Sequence, residues 1–322
     1  MERIYDTIII GAGPAGASAA IYASRARLSA LWLDNRLIPG GQIADSGRVD
    51  NYPGLPGISG ADMGEAFAEH AKKLGMEPVR EEVKEIRVTG ASAEGAPVAG
   101  RGPAKPLFLV TTSKGQYQAY TVIYAAGAAH RHLGIPGEEE LSGAGVSYCA
   151  TCDGAFYRDL ETAVVGGGNT ACEDALFLSR VCSKVYLIHR RDQLRADAVL
   201  QDLVKKCENI EILWNTVPDS VEGEEEGEVT GLAVRNVADG EIRTLPVPGI
   251  FIAAGMIPNT ELVKDLVQTD DGGYIIADET GRTSCPGFFA AGDIRTKTLR
   301  QVVTAVSDGA NAVNSVQTYL LI

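Results

Sequence analysis

The sequence predicts an α/β protein with two Rossmann-like nucleotide-binding domains, on three observations. A glycine-rich turn between an apolar strand and a helix occurs twice, as "GAGPAG" (11 to 16) and "GGGNTA" (166 to 171). At the same distance beyond the first glycine of each turn, a second apolar strand ends in a polar residue, Asp34 in one half and His189 in the other. Two more apolar strands end alike, in "TVIYAAGA" (121 to 128) and "GIFIAAGM" (249 to 256). The chain has 322 residues, more than one core usually serves, which also points to two domains.

The first half opens with the strand "TIII" and the turn Gly11, Gly13, Gly16. In this pattern the first glycine makes a tight turn, the second lets the backbone approach a pyrophosphate, and the third lets helix and strand pack closely. Phosphates then sit at the positive end of the alanine-rich helix. Asp34 closes the next strand, "LSALWLD", where a carboxylate can accept both hydroxyls of an unsubstituted ribose. The pocket suits FAD or NAD.

Next comes "SYCATCDGAFY" (147 to 157), with Cys149 and Cys152 flanking two small residues and Asp153 directly after. A structural zinc site usually takes four ligands, often as two such pairs. There is no second C-x-x-C, and none of the four histidines lies close by in sequence. A lone pair of this kind in a reducing compartment reads as a redox couple. The other cysteines, Cys172, Cys182, Cys207 and Cys285, stand singly and read as small packing residues. Asp153 reads either as a proton carrier or as a helix N-cap.

The second half repeats the first with different chemistry. Its turn is Gly166, Gly168 and Ala171, and its second strand runs into "HRRDQLR". His189, Arg190, Arg191 and Arg195 therefore stand where the first half has an acid. A guanidinium cluster binds a 2′-phosphate in a forked, charge-assisted way, so this pocket reads as one for NADPH. Two different nucleotide pockets and a dithiol need a two-electron relay between them. A flavin takes a hydride and can reduce a disulfide, which assigns FAD to the first pocket.

The strand "PGFFAAGD" (286 to 293) ends in Gly292 and Asp293, a strand-end turn or a carboxylate for a cofactor hydroxyl. "LPVPG" (245 to 249) has the prolines and glycine of a domain crossover, and the segment near "KGQYQAY" is the expected other one. The stretch 90–106 is rich in Gly, Ala and Pro and reads as a surface loop. "EGEEEGE" (222 to 228) reads as a solvated loop. The net charge of −13 argues against nucleic acid as a partner. No apolar run approaches the ~20 residues of a membrane helix, and the N-terminus has no signal-peptide pattern, so the expected location is the cytoplasm.

In order along the chain, "GAGPAG", "GGQI", "DNYPG", "CATCDG", "GGGNTA", "HRRDQLR", "FFAAGD" and "RQVVTA" resemble the low-molecular-weight, bacterial-type thioredoxin reductase family. The resemblance implies the pyridine nucleotide-disulfide oxidoreductase fold, two Rossmann-like domains of three-layer ββα type. It implies an FAD domain at 1–117 and 248–322, with an NADPH domain carrying the C-x-x-C at 118–247. Gly11, Gly13, Pro14, Ala15, Gly16 and Asp34 would hold the FAD adenosine and pyrophosphate. Gly41, Gln42, Ile43, Asn51 and Val83 would lie along the cofactor, Gly292 and Asp293 at its ribityl side, and Gln301 and Val302 at the isoalloxazine. Gly166, Gly168, Asn169, Thr170, Arg190, Arg191 and Arg195 would bind NADPH, with His189 alongside. Cys152 would face the flavin, Cys149 would exchange with the substrate disulfide, and Asp153 would move the proton. The resemblance also implies a homodimer, a rotation of the NADPH domain about its two crossovers, and thioredoxin or a similar small dithiol protein as partner. Ala144 and Ala155 depart from it, standing where members often carry a basic and an aromatic residue. Other readings are a reductase of another small dithiol carrier, such as a glutaredoxin-like or peroxiredoxin-linked protein, and a ferredoxin- or flavin-driven relative, which would not need the arginines. A non-catalytic dinucleotide sensor would have no use for the dithiol.

Overall fold

The computed structural model describes residues 3–46, 48–89 and 106–321, so the stretch 90–106 lies outside the described residues except for Pro106. The chain divides into two compact units, Met1–Ala129 with Ile257–Ile322, and His130–Met256. In chain order the first unit holds β1 (Ile4–Ile10), α1 (Pro14–Arg25), β2 (Ala30–Asp34), α2 (Gly60–Lys73), β3 (Val79–Arg80), β4 (Val83–Thr89), β5 (Leu107–Thr112) and β6 (Gln116–Tyr124). β7 (Ala128–His130) leads out of it. The second unit holds β8 (Val146–Ser147), α3 (Ala150–Asp153), β9 (Glu161–Val165), α4 (Asn169–Leu178), β10 (Lys184–Ile188), α5 (Ala198–Lys206) and β11 (Ile210–Leu213), then β12 (Thr216–Glu222), β13 (Gly231–Asn236), β14 (Ile242–Leu245) and β15 (Gly249–Ile252). β16 (Met256–Pro258) leads back to β17 (Phe288–Ala290) and α6 (Val302–Leu321).

The first unit has one sheet in the order β3-β2-β1-β6-β5-β4, with β17 also on β6. Side chains alternate between its faces. Ile9 enters a core with the alanines of α1 and with Ala312, Val313 and Val316 of α6. Ile8 and Ile10 enter the core on the other face with Phe108, Val122, Tyr124 and Phe288. A strand covered on both faces must be apolar throughout, which is why "TIII" does not alternate. Each such buried side chain contributes about 1.5–3 kcal/mol. The second unit repeats the plan with a sheet in the order β11-β10-β9-β15-β8 and a separate sheet β12-β13-β14. Val165 faces the core under the three-stranded sheet, and Val164 faces the core under α4 and α5. Each central sheet thus lies between a helical layer and a further layer.

β1 lies between β2 and β6, and β9 between β10 and β15. These pairings correct the expected boundaries 1–117, 118–247 and 248–322. β6 cannot leave the first unit while it pairs with β1, and β15 cannot leave the second while it pairs with β9. "KGQYQAY" is the end of the turn after β5 and the first part of β6, and "LPVPG" is the turn from β14 into β15; the chain crosses at Ala129/His130 and Met256/Ile257.

Candidate active site

In the first unit the turn after β1 is built for close approach. Gly11 has a φ of 107° and donates its N–H to the Leu33 carbonyl at 2.8 Å. A Cβ on Gly11 would strike the Ala125 carbonyl oxygen, and one on Gly16 would strike that of Gly11. Gly13 differs: a Cβ there would meet nothing closer than the Gly40 carbonyl oxygen at 3.8 Å. Pro14 and Ala15 begin α1, its proline at the position where a missing N–H costs least. Gly40 donates its N–H to the Ala12 carbonyl at 2.9 Å, which lays Gly41, Gln42 and Ile43, in a single 3₁₀ turn, beside Gly13. Asp34 ends β2, and burial raises its carboxyl above the ordinary value. Glu81 donates its N–H to the Asp34 carbonyl, holding the start of β4 and Val83 near that edge.

The distant pieces meet in the same unit. The Asn51 amide Nδ2 donates to the Gln301 Oε1 at 2.9 Å, and Val302 begins α6 directly after. Gly292 follows β17, and a Cβ on it would come within 2.9 Å of the Ala15 Cβ. Its N–H donates to Asp308 Oδ2 of α6 at 2.9 Å. This sets Asp293 between the starts of α1 and α6. Asp293 Oδ1 is buried and has no hydrogen-bond partner, and burial raises the carboxyl although Lys297 and Arg300 oppose it. A buried acceptor without a donor is costly, and a cofactor hydroxyl is what would satisfy it. This orphaned oxygen and the uncrowded Gly13 fit FAD.

The second unit repeats the turn. Gly166 donates its N–H to the Ile188 carbonyl at 3.1 Å, and a Cβ on it would lie 2.6 Å from the Ala171 Cβ. A Cβ on Gly168 would meet nothing within 4 Å. Neither packing nor a positive φ requires glycine there, so the open backbone at the start of α4 fits a pyrophosphate. Asn169 starts α4 and exchanges two hydrogen bonds with Asp197, at 2.9 and 2.8 Å; Thr170 follows it. His189 is buried, with Nδ1 3.1 Å from the Gly166 carbonyl oxygen and Nε2 2.9 Å from that of Gln193. Its ring therefore pins the turn, and burial lowers its pKa. Arg190, Arg191 and Arg195 are exposed, and among the described residues none forms an ion pair. Arg195 is set by its N–H, which donates to the Gly167 carbonyl at 2.7 Å. The donor set fits the 2′-phosphate of NADPH.

Also in the second unit, Cys149 and Cys152 form a disulfide with Cα atoms 5.3 Å apart. Cys149 ends an extended segment, and the Cys152 and Asp153 N–H groups both donate to its carbonyl at 3.1 Å. Gly154 lets the turn press onto α4, since a Cβ there would lie 2.8 Å from Leu178. Asp153 caps no helix; Ser147 of β8 donates its hydroxyl to Asp153 Oδ2 at 2.6 Å. Burial raises the Asp153 carboxyl and the Ser147 hydrogen bond lowers it, with a net rise. Tyr148 donates its hydroxyl to the buried Glu138 at 2.8 Å, which anchors the residue before Cys149. Among the described residues no group of three or more His, Cys, Asp or Glu side chains could hold a metal ion.

Residues 5–309 match the model of the pyridine nucleotide-disulphide oxidoreductase family. The thioredoxin reductase of Listeria monocytogenes is 45% identical over 99% of this chain and 95% of that protein. That of Bacillus subtilis is 44% identical over 99% and 96%. The chain belongs to the low-molecular-weight thioredoxin reductase family. The crystal structure of a thioredoxin reductase from Streptococcus pyogenes is 42% identical, covers 99% of both chains and superposes with a TM-score of 0.89. Thioredoxin reductases of this family use FAD and NADPH.

Three residues near the family's motifs carry side-chain roles that sequence reading missed: Ser147, Arg300 and Asp308. Ser147 is a polar residue ending a buried strand, the one signal that marks it. Arg300 stands before Gln301 with its guanidinium 4.0 Å from the Tyr274 ring centroid. Asp308 lies in a helix whose sequence gives no sign of the cations it meets.

Proposed function

We propose that this chain is an NADPH-dependent thioredoxin reductase. The disulfide Cys149–Cys152 next to a half-buried carboxyl, in the unit that also presents three arginines without an ion pair among the described residues, carries the reading. Bound FAD would supply the two-electron relay, accepting a hydride from NADPH and passing an electron pair to a disulfide. Gly11, Gly13, Pro14, Ala15, Gly16, Asp34, Gly41, Gln42, Ile43, Asn51, Val83, Gly292, Asp293, Gln301 and Val302 would hold it. Gly166, Gly168, Asn169, Thr170, Arg190, Arg191 and Arg195 would hold NADPH, with His189 fixing the turn beneath.

Once the pair is reduced, Cys149 as thiolate attacks one sulfur of the partner disulfide, and the partner's other sulfur leaves as a thiolate. Cys152 then attacks Cys149 in the mixed disulfide, which restores the ring and releases the second partner thiol. Asp153 takes a proton from an attacking thiol and returns one to a leaving thiolate. The partner proposed is thioredoxin or a similar small dithiol protein, and the enzyme works as a cytoplasmic homodimer. No described helix is long and apolar enough to cross a membrane. Ala144 and the exposed Ala155 lie close to the cysteines in sequence, which makes the choice of carrier the finer question.

NADPH oxidation with several purified carriers tests this. Turnover should be fast with a thioredoxin and with NADPH. Equal turnover with NADH would remove the arginine argument, and faster reduction of a glutaredoxin-like carrier would reassign the partner.

A further inference from the structure

We propose that Ser147 is the positioning residue that keeps Asp153 aligned with Cys149 in both protonation states of the carboxyl. The proposal rests on reading Asp153 as the proton carrier. Ser147 is buried at the end of β8, fixed by pairing opposite Phe251 of β15. The Cys149 N–H donates to the Ser147 Oγ at 3.1 Å. With one lone pair so occupied, the hydroxyl hydrogen has two acceptors in reach: Asp153 Oδ2 at 2.6 Å and the Cys149 carbonyl oxygen at 3.5 Å.

A hydroxyl is donor and acceptor at once and turns to suit its neighbours. With Asp153 ionised, it points at the carboxylate. With Asp153 protonated, the carboxyl donates to Oγ and the hydroxyl swings to the Cys149 carbonyl. The half-buried carboxyl keeps a partner in each state, and both states remain tied to the backbone of Cys149. No bond other than hydrogen bonds changes, and the proton stays on Asp153 until a sulfur takes it. Favouring the ionised form, Ser147 offsets the burial that raises Asp153.

Other titratable groups surround the site. Tyr157, in the turn after Asp153, is pushed up to about 12 by burial and then by the Asp153 charge. Cys152 lies on the same short helix, and Cys149 directly precedes it. α4 packs against α3 and carries Glu173 and Asp174, the latter pushed up to about 7 by burial and then by Glu173. Asp174 titrates in the working range, so the Asp153 ionisation has to be assigned by its disappearance in Asp153→Asn.

The test compares pH profiles of turnover for wild type, Ser147→Ala, Ser147→Thr, Asp153→Asn and Ser147→Ala/Asp153→Asn, each loaded with FAD. Ser147→Ala should slow turnover roughly 10- to 100-fold and move the Asp153 ionisation upward. Ser147→Thr, which keeps the hydroxyl, should restore both. The double variant should be no slower than Asp153→Asn alone, because Ser147 acts through Asp153. If the two losses multiply, or the ionisation stays in place in Ser147→Ala, Ser147 has only a structural part and the proposal fails while the Asp153 reading stands. If Asp153→Asn behaves as wild type, that reading falls and takes this proposal with it.

Discussion

Arg190, Arg191 and Arg195 are exposed and have no carboxylate partner among the described residues. A hydrogen bond to a charged group contributes about 1.5–3 kcal/mol, and about 1.4 kcal/mol is tenfold in affinity. Arg190→Ala or Arg191→Ala should therefore raise the KM for NADPH roughly 10- to 100-fold and leave that for NADH nearly unchanged, as steady-state kinetics will read directly. An equal loss with both nucleotides would move the phosphate site elsewhere. Cys149→Ser should remove turnover with any disulfide partner but leave reduction of the flavin by NADPH in place under anaerobic conditions. At this scale the sequence was legible where chemistry sits in a short pattern, as in "CATCDG" and "HRRDQLR". It was opaque where a side chain finds its partner through the fold: Asn51 reaches Gln301 from across the chain, and Ser147 reaches Asp153 around the disulfide.

The two glycine turns make different demands at neighbouring positions. At Gly166 a Cβ would press on Ala171 at 2.6 Å and on the Ala253 carbonyl oxygen at 2.7 Å; at Gly168 it would meet nothing. Gly166→Ala should lower the melting temperature, since overpacking costs about 1–3 kcal/mol. Gly168→Ala should melt like the wild type, yet bind NADPH more weakly because the added methyl stands where phosphate would approach. Thermal unfolding with a nucleotide titration separates the two; a folding defect in Gly168→Ala would mean the position is structural. The strand-turn-helix elements were readable because backbone geometry forces glycine at fixed spacing. The crossovers were not. Prolines and glycine in "LPVPG" mark the turn into β15, and only sheet pairing decides which unit a strand belongs to.

At the scale of the whole molecule, the C-terminal part of the chain holds its own loop after β17 to α6 by charge as well as by apolar packing. Arg295, Lys297 and Asp308 have side chains only 2%, 4% and 3% exposed. Asp308 accepts from Arg295 Nε and Nη2, both at 2.8 Å, from Lys297 Nζ at 2.9 Å and from the Gly292 N–H. Asp308→Ala would leave two buried cations without their shared partner, a loss of about 3–5 kcal/mol, and would also loosen the Gly292–Asp293 turn. Denaturant unfolding measures the first effect and FAD retention the second. Burial alone would raise the Asp308 carboxyl, but the Arg295 and Lys297 hydrogen bonds outweigh it and lower the pKa. Its contribution to stability is therefore complete above the usual carboxylate pKa and is lost as pH falls through the lower folded value. Asp308→Asn should flatten that part of the acid stability curve; an unchanged curve would show that other groups control it. The repeat of two nucleotide-binding halves was evident from the chain alone, whereas this network was not, because its members sit in an unremarkable loop and helix.

The most direct measurement is an anaerobic titration of the purified protein with NADPH, followed by the flavin spectrum and by alkylation of new thiols. About two equivalents should bleach the flavin band and expose two new thiols, at Cys149 and Cys152, with NADH far less effective. A protein without bound flavin, or one whose flavin bleaches while that disulfide stays closed, would contradict the passage of electrons from NADPH to this pair.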